Sequence, residues 1–269
     1  MTAVYDLSGV GVRIRSAILL DAVSLRITAG ETVAIVGPNG AGKSTLMRIL
    51  SADLAATSGM VMLKGQPITC YRAEELAANR AVLSQHVQVN FPFTVAEVVR
   101  MGGGRQPRAV VEPLAVAALA EAELDGFTSR ELPTLSGGEQ QRAHFARVLV
   151  QLACGEASHG PGVLLLDEPT SSLDMRHQIN LLESARRRAR QGTAVVAVLH
   201  DLNLAARFAD RVLVVRQGKL VADGAPAATI TDDLLGRVFE VEAQVGTTPE
   251  GLPFVLPQQM TQTPASVTR

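Results

Sequence analysis

Three short, unbroken apolar runs constrain this 269-residue chain more than anything else in it: Val33 to Val36, Val163 to Leu166 and Ala194 to Leu199. Each stops abruptly in polar chemistry, the first at Gly37, the second at Asp167-Glu168 and the third at His200-Asp201. Runs of this kind are strands of a sheet covered on both faces, as parallel sheets are. Ligands of such sheets bind beyond the carboxyl ends of the strands, so three polar ends in one crevice would make a site. The expectation is an α/β fold.

The rest of the chain divides around that sheet. The first thirty residues alternate loosely (Val10, Val12, Ile14, Val23, Leu25, Ile27), which fits short antiparallel strands. Leu46, Ile49 and Leu50 form a helical stripe, and Gly59 and Gly65 punctuate a hairpin-like stretch. From Phe91 to Cys154 the sequence is Ala-, Glu- and Leu-rich with no clear strand, so residues 91–154 are expected to be a helical subdomain inserted in a main domain of 1–241. The tail, 242–269, is rich in Pro, Gly and Thr and reads as a loosely packed appendage.

Composition narrows the function. Apolar residues make up 47% and aromatics 3%, with no Trp, so the core is built of Val, Leu, Ala and Ile. A net charge of −1 leaves no global positive field for a polyanion, which weighs against nucleic acid as a partner. Cys70 and Cys154 lack CxxC spacing, which argues against a zinc site or disulfide framework and suits a reducing compartment. No stretch has the character of a signal peptide or a membrane span, so the chain is expected in the cytosol, docking on something that is not.

Gly37-Pro38-Asn39-Gly40-Ala41-Gly42-Lys43-Ser44-Thr45 follows the first apolar run and opens the helical stripe. That is the GxxxxGK[ST] phosphate loop in the strand-then-helix context it requires. The loop N–H groups would face a β-phosphate, Lys43 would reach the β and γ oxygens, and the Ser44 hydroxyl would bind Mg²⁺. Asp167 would hold the metal through its water shell, and Glu168 would polarise the attacking water as general base. Taken alone, the Asp-Glu pair is equally well a surface cap.

Leu135-Ser136-Gly137-Gly138-Glu139-Gln140-Gln141-Arg142 opens a second helix, with core stripe Phe145, Val148, Leu149 and Leu152. Ser136 and Glu139 have capping-box spacing. Two glycines in a first turn cost about 1 kcal/mol each against Ala, and their bare N–H groups would make a second anion site. Two other features have plain readings. Ala185 to Arg190 reads as a solvated basic face near a helix C-terminus, and Phe91-Pro92-Phe93-Thr94 as core or as a groove for a partner helix.

Together, LSGGEQQR, GPNGAGKST and LLLDEPTSSLD resemble the ATP-binding-cassette ATPases, in order and spacing, over about residues 4 to 240. The resemblance implies a P-loop core with an antiparallel β-subdomain and an inserted helical subdomain. It also implies a head-to-tail dimer in which Ser136, Gly137, Gly138 and Glu139 complete the ATP site of the other copy. Gln85 matches the family's Q-loop glutamine, a metal and water ligand; His200 matches the switch histidine and Asp174 the D-loop. One departure stands out. Where the family stacks adenine on an aromatic before the phosphate loop, this chain has Val10, Gly11, Val12 and Arg13, and Tyr5 is too far upstream.

Three functions compete: the ATPase subunit of a membrane transporter, a soluble phosphotransferase, and a clamp acting on DNA or ribosomes. A phosphotransferase needs no signature helix, and the clamps carry coiled-coil insertions or two cassettes. Transport is left, with two transmembrane permease subunits as partners and the cytoplasmic face of the inner membrane as location. The stretches Val82 to His86, Phe91 to Val95, Gly155 to Gly162 and His200 to Arg207 look like the hemin-importer ATPases of bacterial type II systems. A periplasmic or surface heme-binding protein would then act indirectly; siderophore and cobalamin importers are close relatives.

Overall fold

The computed structural model describes residues 3–85 and 91–262. His86, part of one stretch quoted above, lies outside them. The chain opens with β1 (Ala3–Ile14) and β2 (Ala17–Thr28), then β3 (Thr32–Val36), α1 (Lys43–Leu50), β4 (Ser58–Leu63), β5 (Gln66–Pro67), α2 (Ala73–Asn79) and β6 (Arg80–Leu83). Three helices follow, α3 (Val95–Arg100), α4 (Arg108–Glu121) and α5 (Gly137–His159). The chain then alternates through β7 (Val163–Asp167), α6 (Met175–Arg190), β8 (Ala194–Val198), α7 (Leu202–Phe208), β9 (Arg211–Arg216) and β10 (Lys219–Gly224).

The three apolar runs are β3, β7 and β8, central in a six-stranded sheet of order β10-β9-β3-β8-β7-β6. They pair in parallel, and every residue of β3 and β8 is buried. Because side chains alternate across a strand, one run feeds two cores. Ala34, Val36, Leu164, Leu166, Val195 and Ala197 pack into the core that also holds α3 to α6 residues. Val33, Ile35, Val163, Leu165, Val196 and Val198 pack with α1 and the antiparallel sheet.

That second sheet has the order β2-β1-β4-β5. Its first two strands run to 12 residues each, longer than alternation suggested, because bulges in the β1–β2 pairing let a loosely periodic sequence continue as strand. The expected hairpin is β4–β5.

The tail differs most from its expectation. It forms β11 (Val241–Glu242), β12 (Val245–Thr247), β13 (Pro253–Val255) and β14 (Thr261–Gln262), paired β11 with β14 and β12 with β13. Val255 is buried with Ala206, Ile230 and Leu235, so this stretch is a packed layer, not a loose appendage. Its Pro and Gly residues shape turns between very short strands, where composition alone suggested looseness.

Candidate functional site

The phosphate loop leaves β3 in a conformation that only glycine adopts easily. Gly37 has φ +149°, and a Cβ there would lie 2.1 Å from the Val215 carbonyl; at Gly42, φ is +109° and the Leu19 carbonyl would be 2.8 Å away. Lys43 follows, buried, with Nζ donating to the carbonyls of Gly37 at 2.8 Å and Pro38 at 2.9 Å. Burial holds its ammonium below the usual lysine range, against the opposing pull of Glu168 and Asp167. Asn39, Gly40, Ala41, Gly42, Lys43, Ser44 and Thr45 line a cavity of about 510 Å³ together with Glu168 and His200.

Strand register brings the polar ends together. Leu83 pairs with Leu166 and Asp167 with Val198, so β6, β7 and β8 finish level. Gln85, Glu168 and His200 each lie one or two residues past those ends. Glu168 has φ +51°, a left-handed conformation unusual for a side chain of its size and of the kind that collects at functional sites. Its two carboxylate oxygens have different partners: Oε1 lies 2.7 Å from His200 Nε2, and Oε2 accepts from Gln85 Nε2 at 2.5 Å.

Ser136, Gly137, Gly138, Glu139 and Asp174 do not line this cavity. They gather elsewhere. Ser136 and Glu139 form the capping box of α5, with Ser136 N donating to Glu139 Oε2 at 2.7 Å and Glu139 N to Ser136 Oγ at 3.4 Å. A Cβ on Gly138 would lie 2.9 Å from the Ser172 carbonyl, so the glycine pair lets α5 begin directly against the loop that leads to Asp174. Asp174 caps α6 by accepting from His177 N at 2.9 Å, and that bond, with the His177 ring, holds its carboxyl below the usual range.

The cavity also has walls that the sequence did not announce. Ile18, Leu19, Gln217 and Gly218 line it, and Ile18 is 49% exposed. Ile18-Leu19-Leu20 held a signal: three successive apolar residues in a half-buried strand cannot all face inward. Gln217, in the β9–β10 turn, carried none. Tyr5 is fully buried, its hydroxyl donating to the Leu50 carbonyl, so it takes no part.

The basic face on α6 is only partly solvated, because Arg187 and Arg188 reach Glu121 on α4 at 2.8 and 2.6 Å. Phe91 and Phe93 are 68% and 37% exposed, which rules out the core reading of that pair.

A family model described as ABC transporter matches residues 20–171. The chain belongs to the ABC transporter family. It is 60% identical, over 97% of both chains, to the hemin import ATP-binding protein HmuV of Rhodopseudomonas palustris (strain BisB18). Among solved structures, a putative metal-chelate type ABC transporter in an inward-facing conformation superposes with TM-score 0.76, 22% identity and coverage of 96% of this chain and 99% of that one, a likeness of fold. A bacterial ABC transporter cassette solved as a dimer gives TM-score 0.71 at 27% identity, covering 82% of this chain and 98% of that one. As an ABC cassette, the chain binds ATP, hydrolyses it in step with transport, and works as a dimer with transmembrane subunits. Among the described residues, no helix is long and apolar enough to cross a membrane.

Proposed function

We propose that this ABC cassette powers the import of hemin, as a homodimer beneath two transmembrane permease subunits, on the cytoplasmic face of the inner membrane. A periplasmic or surface heme-binding protein delivers the cargo to those subunits. The observation that carries the cargo reading is identity of 60% along 97% of both chains to a hemin import ATP-binding protein.

The site supports a specific division of labour. Residues 37–45 cradle the phosphates through loop N–H groups, and Lys43 exchanges the Gly37 and Pro38 carbonyls for β- and γ-oxygens. Ser44, Gln85 and Asp167 offer hydroxyl, amide and carboxylate oxygens, the hard donors that suit Mg²⁺ beside substrate phosphates. Magnesium, when bound by these groups, would supply positive charge against the γ-phosphate.

Glu168 is the general base. Its Oε2 is engaged by Gln85 and its Oε1 by His200. A bound γ-phosphate gives the Gln85 amide another partner, which frees Oε2. Water then attacks phosphorus in line with the bond to ADP, that bond breaks, and the water's proton passes to Glu168. His200 stays on Oε1 and keeps the carboxylate aimed.

The helical subdomain, about 91–154, presents Ser136 to Glu139 and, with Asp174, faces the nucleotide of the second copy. Ile18 and Leu19 give the base an aliphatic face in place of an aromatic one. The cargo test uses proteoliposomes holding the full complex. Heme-loaded binding protein stimulates hydrolysis beyond empty protein, and ferric siderophore or cobalamin with its own binding protein does not substitute; equal stimulation by either would return the cargo to metal chelates at large.

A further inference from the structure

The tail reaches back to the helix that follows His200. Asn203, in the first turn of α7, donates from Nδ2 to the Val255 carbonyl at 3.0 Å and accepts the Val255 N–H on Oδ1 at 2.8 Å. One side chain thus satisfies both main-chain groups of a tail residue, as a neighbouring strand would. Val255 is 2% exposed and packs with Ala206, Ile230 and Leu235.

The same residue is tied to the catalytic side. Asn203 N donates to Asp201 Oδ1 at 2.7 Å, the cap of α7, and Asp201 follows His200 directly. His200 lies between the end of β8 and the start of α7 and belongs to neither. Its orientation is therefore set by what holds those two ends. β8 is fixed by the sheet. α7 has only seven residues, too few to be stable alone, and its buried residues Ala205, Ala206 and Phe208 anchor its later turn. The first turn is anchored by the Asp201 cap, by Leu202 packed against the main core and the Val255 cluster, and by the grip of Asn203 on Val255.

We propose that Asn203 is a positioning residue for hydrolysis: by gripping Val255, it fixes the first turn of α7 and thereby the His200 imidazole against Glu168. This rests on the roles given above to His200 and Glu168. The tail then has a task in the catalytic cycle, since displacement of reacting groups by about 1 Å can cost a hundredfold in rate.

The experiment measures ATP hydrolysis by the full-length chain with Asn203→Ala, with His200→Ala and with both, well below each variant's melting midpoint. Asn203→Ala is expected to lower kcat about fivefold, the size of one or two lost hydrogen bonds, with KM for ATP changed less than about twofold. In the His200→Ala background the same substitution should cost nothing more, because the group it positions is gone. Val255→Pro removes the N–H from the tail side, on the edge facing away from β12 where proline is tolerated, and should reproduce the loss with α7 unaltered. Equal losses with and without His200 would mean general loosening and would overturn the proposal, as would wild-type kcat in both Asn203→Ala and Val255→Pro. Wild-type kcat in His200→Ala alone would instead sink the catalytic reading on which it rests.

Discussion

Gln85 donates to Glu168 Oε2 at 2.5 Å across neighbouring strands, while His200 holds the other oxygen of the same carboxylate. The residue assigned to activate water is thus held from both sides. Gln85 also lies shortly before the exposed pair Phe91 and Phe93 in the chain, whose rings sit 6.1 Å apart.

Gln85→Ala therefore uncouples. ATP affinity, set by residues 37–45, should stay within about threefold of wild type, because a difference of that size is under 1 kcal/mol. Stimulation of hydrolysis by loaded binding protein should disappear. Titration of labelled ATP alongside hydrolysis in the reconstituted complex checks both; retained stimulation would remove Gln85 from the relay.

Base recognition should be weak. Ile18 and Leu19 give an aliphatic wall, which discriminates purines poorly, so GTP should compete with labelled ATP within about tenfold, or 1.4 kcal/mol. Ile18→Asp, which puts a carboxylate beside the nucleotide, should raise the ATP Kd by about tenfold. An unchanged Kd would place the base elsewhere.

The sequence made the sheet legible because β3, β7 and β8 are continuous apolar runs whose polar ends are chemically distinctive. Strand order and register, which align Gln85, Glu168 and His200, depend on contacts between segments far apart in the chain, 83 residues in the case of Gln85 and Glu168, and local pattern does not encode them. Ile18 was obscured for a related reason. Its exposure follows from where the β1–β2 hairpin meets the phosphate loop. The tail was misread because β12 and β13 are three residues each and are held by contacts distant in sequence, among them Asn203, 52 residues before Val255.

Buried His144 makes stability depend on acid. On α5 it is 3% exposed, neither ring nitrogen has a hydrogen-bond partner among the described residues, and burial, with nearby Arg147 adding to it, lowers its pKa to about 4. Its folded pKa lies below the unfolded value, so the unfolded chain binds the proton first as pH falls. The chain should lose about 3 kcal/mol between roughly pH 6.5 and 4 from this group. Melting midpoints of His144→Leu should fall less steeply across that window than those of wild type; parallel curves would mean that the imidazole charges without penalty.

The central claim is that Glu168 takes the proton from the attacking water, and Glu168→Gln tests it most directly. The amide keeps the size of the carboxylate and cannot accept that proton, so kcat should fall by at least about a hundredfold, the usual contribution of a positioned base. ATP affinity should persist, and sizing columns run with ATP should collect a nucleotide-bound dimer that wild type forms only transiently. Turnover near wild type in Glu168→Gln would contradict the account.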